Sequence, residues 1–272
     1  MVVIFFYFAY NFSENNFSEN NFSENNFSGN KEYYVDNLYG YDYPENPRKA
    51  EFNTLLSFWD KIANLYKINY TITYGTYLGW YRNQNYIPYD EDLDIHISID
   101  SVKNLLDLIK YEWCFYPHEL RDNRIKPETP TLLINPDHNF KFKSRKRHNC
   151  QGEKVDIQQD VCSFSGIIGR LVYRKNGKTS HLDIFVYNHE TNKTNRDNHL
   201  VEKRAVDYYG DTASYIVSDI GTNLPPTTKC NINGVTTRCF NRDIGKQFLI
   251  NRYGENFLTP DRIYKNKKWN KK

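Results

Sequence analysis

The stretch 87–95, Ile-Pro-Tyr-Asp-Glu-Asp-Leu-Asp-Ile, constrains the fold of this chain more than any other segment. Successive side chains of a β-strand point to opposite faces of the sheet. Asp92 and Asp94 therefore share one face, and Leu93 and Ile95 share the other. The apolar face has to lie against a core, because burial of apolar surface is the main favourable contribution to folding. The segment therefore predicts a strand with one buried and one acidic face.

Asp92 and Asp94 lie about 7 Å apart along such a strand and repel each other. They are stable together when a positive group lies between them. Carboxylate oxygens at this spacing suit Mg²⁺ or Mn²⁺, which usually keep bound water and complete their coordination with substrate phosphates. Asp90 joins the same face if the strand starts early. The alternative is a solvated acidic turn that precedes an edge strand.

A glycine-bracketed helix pattern comes just before the acids, at residues 74–82. We predict a short helix over residues 76–82. Gly75 lets the backbone approach a ligand, and Thr76 can cap the helix N-terminus. Helix N-termini bind phosphate, and Arg82, two turns further on, is able to pair with a phosphate oxygen.

Asp183 is a polar residue within an apolar strand pattern, His-Leu-Asp-Ile-Phe at 181–185. A buried, unpaired acid is costly, which makes Asp183 a candidate third metal ligand. The alternative is a hydrogen-bonded strand acid or one at an exposed edge. The surrounding residues predict a hairpin, with strands at 167–173 and 181–187 and an Asn176-Gly177 turn.

The remaining patterns interleave helices and strands. Predicted helices cover 48–67, 101 to about 113 with Ser101 as cap, and 243–253, and predicted strands cover 70–74, 93–99 and 131–134. Residues 141–160 are charged and poorly patterned, and they predict an inserted loop. The fold class is therefore α/β or α+β with a mixed sheet flanked by helices.

The N-terminal 46 residues are predicted to lie outside the folded domain, which occupies residues 47–272. Residues 2–10 are apolar but lack a basic region and a convincing cleavage site, so they indicate a short apolar tail or a degenerate signal. The pentad Asn-Phe-Ser-Glu-Asn then repeats over residues 11–30, and such a polar repeat predicts a disordered tail. Its Asn-Phe-Ser sites accept N-glycans only if the chain enters a secretory lumen.

Composition excludes several classes of protein. The net charge is +3, too close to balance for a dedicated DNA-binding protein. No apolar run approaches the roughly 20 residues that span a bilayer. The 5 cysteines contain no CxxC pair, and in a two-residue hairpin at Asn233-Gly234 Cys230 faces Thr237 rather than Cys239. We therefore expect reduced thiols and favour a cytoplasmic setting, with a secretory lumen as the alternative.

The segment Gly75-Thr-Tyr-Leu-Gly79, Arg82 and the acidic stretch 87–95 together resemble the LicD family, which includes bacterial phosphocholine transferases and fukutin-related proteins. That family reads roughly GTLLGxxR, a short spacer, then IPWDDDxDI. The strand around Asp183 is similar to its LDIF-type segment, and residues 251–260 are similar to its closing element. This chain has Tyr89 in place of the usual Trp and Glu91 as the middle acid. It has no match to the zinc-binding cysteines of some animal relatives, so we predict no structural zinc.

The resemblance implies a nucleotidyltransferase-like α/β core with bound Mg²⁺ or Mn²⁺. It makes Asp92, Asp94 and Asp183 the catalytic acids and metal ligands, with Asp90 as an accessory ligand. Gly75 and Thr76 would cradle phosphate. The implied substrate-binding set is completed by Gly79, by Arg82, which would neutralise phosphate, and by Tyr89, which can stack on a base or simply pack.

The reaction implied by the resemblance moves a substituted phosphate, phosphocholine or a polyol phosphate, from a CDP-linked donor to a glycan or glycoconjugate hydroxyl. One alternative is a DxD-type glycosyltransferase, which needs Asp92 and Asp94 but neither the Gly75 turn nor Asp183. Another is a different nucleotidyltransferase, for which the basic run 141–148 is the one feature favouring nucleic acid; we expect no nucleic-acid partner. The last is a non-catalytic remnant that binds a glycan.

Overall fold

A computed structural model of the chain describes residues 38–40, 42–111, 114–115, 127–134, 167–187, 200–203, 214–217 and 224–272. Its largest sheet has 6 strands in the order β1-β2-β6-β5-β4-β3. These strands are β1 Tyr70–Ile72, β2 Leu93–Ser98, β3 Cys114–Phe115, β4 Thr131–Ile134, β5 Gly169–Lys175 and β6 Lys178–Tyr187. The pairs β2–β6 and β3–β4 are parallel and the others are antiparallel. The prediction of a mixed sheet is confirmed.

The central strands are apolar on the faces that meet the helices. Leu93, Ile95 and Ile97 of β2 are at most 1% exposed, as the alternation predicts. Helix α1, Lys49–Leu65, contributes the opposite side of this core through Phe52, Leu55, Leu56, Trp59 and Ala63. The predicted helix over 48–67 is confirmed, and its apolar residues recur at helical spacing because they all face the sheet.

Among the described residues, three further helices lie around the sheet: α2 Tyr74–Asn83, α3 Val102–Leu106 and α4 Arg242–Tyr253. Helix α2 begins two residues earlier than predicted. The predicted helix from Ser101 to about residue 113 is broken, because α3 is flanked by 3-10 turns at Ile99–Ser101 and Asp107–Lys110. The Ser101 hydroxyl accepts a hydrogen bond from the Asn69 amide at 2.8 Å and caps no helix.

Four hairpins complete the described structure. The β5–β6 turn has positive φ at Asn176 and Gly177, 50° and 72°, as two-residue hairpin turns of this kind require. Pairs β9 Thr227–Ile232 with β10 Val235–Phe240, and β11 Arg262–Lys265 with β12 Lys268–Lys271, form small separate sheets. The fourth pair is β7 Leu200–Lys203 with β8 Ser214–Val217.

The expectation of reduced thiols at Cys230 and Cys239 is wrong. Cys230 does pair with Thr237 in the strand register, as predicted, but it forms a disulfide with Cys239 across the diagonal of the hairpin, at a Cα–Cα distance of 5.8 Å. Diagonal neighbours lie on one face of the sheet, and that proximity is enough for a disulfide. Direct opposition of the two cysteines is therefore not needed.

Residues on both sides of the predicted domain boundary contribute to the fold. Tyr39 is fully buried and Asn46 is 6% exposed. The Asn46 amide donates to the carbonyls of Ile87 and Asp90, at 2.7 and 3.0 Å, and so fixes the turn that leads into β2. The predicted repeat tail at 11–30 and the predicted loop at 141–160 lie outside the described residues. Within the described ranges, every helix is too short or too polar to cross a bilayer.

Candidate active site

The parallel pairing of β2 with β6 creates the acidic site. In its register, Leu93 is opposite Leu182 and Asp94 is opposite Asp183. Asp92 immediately precedes β2 and reaches His181, whose Nε2 lies 3.7 Å from the Asp92 carboxylate. The two predicted acidic segments, about 90 positions apart in the sequence, thus become neighbours on one face of the sheet.

The ligand atoms of Asp92, His181 and Asp183 all lie within 4.8 Å of one another. Among the described residues, this group differs from the predicted ligand set, because it contains His181 and does not include Asp90 or Asp94. His181 was not predicted as a site residue. The sequence spacing could have identified His181, because it precedes Asp183 by two positions and therefore shares its strand face.

Asp183 is held by Arg170, its cross-strand partner on β5. Arg170 donates from Nε and Nη2 to the two carboxylate oxygens, at 2.5 and 2.8 Å. Arg170 and Asp183 are 9% and 8% exposed. Burial alone would lower the pKa of the Arg170 guanidinium, but the charges of Asp183, Asp92 and Asp94 outweigh burial and raise it.

Burial, and then the charges of neighbouring groups, shift the pKa values of the other acids in different directions. Burial, and then the charges of Asp92 and Asp183, raise the pKa of Asp94 well above its ordinary value. Burial, and then the charge of Asp92, raise the pKa of Asp90 to about 8. Burial alone would raise the pKa of Asp92 as well, but its pairing with His181 and the charge of Arg170 lower it. The acids Asp92, Asp94 and Asp183 therefore repel one another and share the positive charge of the Arg170 guanidinium.

The N-terminus of α2 is tied directly to β2 beside the acids. The Thr73 amide donates to the Asp94 carbonyl at 3.0 Å, and the Asp94 amide donates to the Thr76 hydroxyl at 2.8 Å. The prediction that Thr76 caps the helix is wrong, because the helix already begins at Tyr74. Thr76 is buried inside the first turn and positions the backbone of Asp94.

The side chain of Asp90 closely approaches the backbone of Gly75. A Cβ atom at position 75 would lie 2.5 Å from a carboxylate oxygen of Asp90, closer than two such atoms can approach. The group that approaches the Gly75 backbone in this structure is thus a carboxylate of the chain itself.

Arg82 and Gly79 lie further along α2, where each meets a backbone carbonyl. Arg82 is 4% exposed, and its Nε and Nη2 donate to the Phe257 carbonyl at 3.0 and 2.5 Å. Arg82 comes seven positions after Gly75 in the helix, about 10 Å along the axis. The structure thus gives Arg82 backbone partners in the segment after α4 and not a place at the acids. Gly79 lets the carbonyl of Asn85 approach the helix.

Tyr89 belongs to an aromatic cluster beside the C-terminal hairpin. Its hydroxyl donates to Asp261 at 2.6 Å, and the guanidinium of Arg262 lies 5.0 Å from the centre of its ring. The ring centroids of Tyr89 and Trp269 are 4.9 Å apart. These contacts describe packing, and stacking of Tyr89 on a substrate stays a prediction.

Arg252 is a second residue that sequence reasoning did not assign. It lies in the last turn of α4, and its guanidinium is 5.4 Å from the ring centre of Tyr74. Its positive charge acts against burial on the pKa of Asp94. The closing segment 251–260 of the resemblance therefore contributes a cation on the acidic side, where Arg82 was expected to supply one.

His96 lies on the same strand as Asp94 but points into an aromatic environment. It is 1% exposed, and its Nε2 is 3.3 Å from the Tyr74 hydroxyl. The rings of Tyr74, Phe185 and Phe248 surround it. Burial lowers the pKa of His96 to about 3, so its imidazole is neutral at physiological pH.

Residues 67–128 match a family model described as "LicD/FKTN/FKRP, nucleotidyltransferase domain". The matched segment contains β1, α2 and β2, and with them Asp90, Asp92 and Asp94. It ends before Arg170, His181 and Asp183.

The lipopolysaccharide cholinephosphotransferase LicD of Haemophilus influenzae is 29% identical to this chain over 65 residues. Those residues make up 24% of this chain and 23% of the relative, so the match spans about a quarter of the relative's length. The two matches support the LicD family and confirm the resemblance that the glycine turn and the acidic strand predict.

Proposed function

We propose that this protein transfers a substituted phosphate, such as phosphocholine or a polyol phosphate, from a CDP-linked donor to a hydroxyl group of a glycan. The observation that carries this proposal is the register of β2 with β6, which sets Asp92 and Asp94 against His181 and Asp183. The matched nucleotidyltransferase domain and the name of the bacterial relative support the reaction class.

The donor set fits a divalent metal. Asp92, Asp183 and His181 offer two carboxylates and one imidazole within a span that a single ion can bridge after small side-chain rotations. Burial, and then the charges of Asp92 and Asp183, raise the pKa of Asp94, and a bound cation would offset part of that repulsion. Bound Mg²⁺ or Mn²⁺ would stabilise the charge on the transferred phosphate and orient donor and acceptor.

The protein's own groups prepare this site before substrate binds. Arg170 fixes the plane of the Asp183 carboxylate through two hydrogen bonds. A carboxylate has about four lone-pair directions, so Asp183 keeps acceptor capacity for a further partner. Thr76 fixes the backbone of Asp94, and the N-terminus of α2 attracts phosphate through its amides and its dipole.

The chemistry is an in-line displacement at phosphorus. The acceptor hydroxyl oxygen forms a bond to the phosphorus atom that carries the head group, and its proton passes to a base. The bond from this phosphorus to the bridging oxygen breaks, and CMP leaves with that electron pair. Binding two reactants in this geometry removes much of the entropic barrier.

Nucleotide binding and CMP release test the proposal. Thermal shifts are measured with CDP-choline, CDP-ribitol, CDP-glycerol, a UDP-sugar and ATP, each with Mn²⁺ or Mg²⁺. We expect metal-dependent stabilisation by one CDP compound, lost in Asp92→Asn and kept in Asp107→Asn, an exposed acid in a 3-10 turn. With a glycan acceptor present, the same compound should release CMP. Stabilisation by UDP-sugars alone, or by no nucleotide, would refute the proposal.

A further inference from the structure

We infer that His181 is a ligand of the metal, and that its imidazole makes the site prefer Mn²⁺ over Mg²⁺. The inference deepens the proposed function and rests on it in so far as the metal serves phosphate transfer. Its test measures metal binding without nucleotide, so that this inference and the proposed function can fail separately.

The imidazole of His181 lies close to the other donor atoms. Nε2 of His181 faces Asp92 at 3.7 Å, and this nitrogen belongs to the donor group that spans 4.8 Å. An ion with ligands at about 2.1 Å brings neighbouring donor atoms to about 3 Å from one another. The imidazole and the Asp92 carboxylate therefore need to move by only about 1 Å to share one ion.

One of the three donor side chains is fixed and the other two can adjust. Asp183 is held by Arg170 and is buried. The side chains of His181 and Asp92 are 24% and 38% exposed, so they retain room to rotate towards an ion. One anchored carboxylate with two adjustable donors at the solvent side is an arrangement that an ion from solution can enter.

The chemical nature of the donor atoms also favours Mn²⁺. Mg²⁺ prefers an octahedral shell of oxygen atoms and keeps several waters. Imidazole nitrogen is a better ligand for the later divalent ions of the first transition series, and Mn²⁺ accepts both oxygen and nitrogen ligands. A site made of two carboxylates and one imidazole should therefore discriminate in favour of Mn²⁺.

The competing explanation is that His181 only neutralises Asp92. The two explanations predict opposite effects of His181→Ala. If His181 is a ligand, the variant loses a metal bond and binds Mn²⁺ more weakly. If His181 is only a positive neighbour of Asp92, the variant removes repulsion from an incoming cation and binds Mn²⁺ equally well or more tightly.

Mn²⁺ binding to the full chain is measured by the EPR signal of free Mn²⁺ and by calorimetry, without nucleotide. We expect His181→Ala to raise the Kd for Mn²⁺ about tenfold or more and the Kd for Mg²⁺ less than threefold. The control Thr179→Ala changes a residue on the same face of β6 and should leave both values unchanged. Unchanged or tighter Mn²⁺ binding in His181→Ala would overturn the inference.

A second measurement needs no variant. Pulsed EPR of Mn²⁺ bound to the wild-type chain should show a coupling to an imidazole ¹⁴N nucleus. Absence of this coupling, or of any Mn²⁺ binding, overturns the assignment of His181. If the coupling is present and no CDP compound binds, the proposed function fails while the metal site stands. If CDP compounds bind with Mn²⁺ but the coupling is absent, only the present inference fails.

Discussion

Arg170→Met is the substitution whose effect the structure predicts most sharply. Removing one partner of a buried ion pair costs about 3–5 kcal/mol, because the remaining charge is left uncompensated. Arg170 and Asp183 are both less than a tenth exposed, so this range applies. In Arg170→Met the carboxylate of Asp183 stays beside Asp92 and Asp94. We therefore expect Arg170→Met to lose unfolding free energy near the upper end of this range, about 4–5 kcal/mol.

Asp183→Asn should cost less, about 1–3 kcal/mol. It leaves Arg170 buried, but the charges of Asp92 and Asp94 also stabilise this guanidinium, and the variant relieves repulsion among the acids. Arg170→Met is therefore expected to lose more unfolding free energy than Asp183→Asn, because the site holds more carboxylates than the Arg170–Asp183 pair alone. Coupling within such a group is expected to be non-additive.

Equilibrium urea unfolding at pH 7 with EDTA measures both losses. Trp59 is 1% exposed and provides a fluorescence signal for unfolding. Arg174→Met, on the same strand but partly exposed, is the control and should change the free energy of unfolding by no more than about 0.5 kcal/mol. In buffer without EDTA, added Mn²⁺ should restore part of the stability of Arg170→Met, because a bound ion would compensate the same carboxylates, and much less of the stability of Asp183→Asn.

Two results would refute this reasoning. A loss in Asp183→Asn equal to or larger than that in Arg170→Met would show that the surrounding acids do not dominate. Losses below about 1 kcal/mol in both variants would show that the pair behaves as a solvent-exposed salt bridge.

Three further predictions concern other parts of the fold. Burial lowers the pKa of His96 to about 3, against about 6.5 in the unfolded chain. The neutral imidazole therefore contributes stability that is complete above pH 6.5 and is lost as the pH falls towards 3. In urea unfolding, His96→Phe should reduce the pH dependence of the unfolding free energy between pH 6 and 4 by about 1.4 kcal/mol per pH unit. Gly75→Ala places a methyl group 2.5 Å from the Asp90 carboxylate and should cost about 1–2 kcal/mol of unfolding free energy, although alanine favours helices. Reducing the Cys230–Cys239 disulfide, whose partners are 9 positions apart, should cost up to about 2.6 kcal/mol by loop-closure entropy, measured as a lower urea midpoint in dithiothreitol.

Each of these predictions has an internal control. For His96, the unfolding free energy is plotted against pH for the wild type and the variant, and the difference between the two curves removes the titration of the acids. Parallel curves would contradict the prediction. Asp90→Ala should cancel most of the Gly75→Ala cost, and full additivity would show that the contact is absent. Dithiothreitol should not affect a variant in which Cys230 and Cys239 are both serine, and an equal shift there would assign the effect to other thiols.

Prediction from the sequence was most successful where the deciding interactions are local. The helix over α1, the paired strands around Asn176-Gly177 and the alternation of β2 all follow from residue spacing and turn chemistry. The break in the helix after Ser101 did not follow, because the Ser101 hydroxyl binds the distant Asn69 amide. The C-terminal hairpin β11–β12 was missed since its strands are polar and lack the apolar alternation that marks a strand.

The sequence alone determined that Asp92 and Asp94 share a face, that Asp183 lies on another strand, and that these segments resemble the LicD family. Only the tertiary structure decided that β2 lies beside β6 in parallel register. This neighbour relation brought Arg170 and His181 to the acids, and placed Arg82 in the packing around Phe257. The physical reason is that side-chain alternation is a property of each strand by itself. The order of strands in a sheet depends on the packing of the whole core, which no local pattern contains.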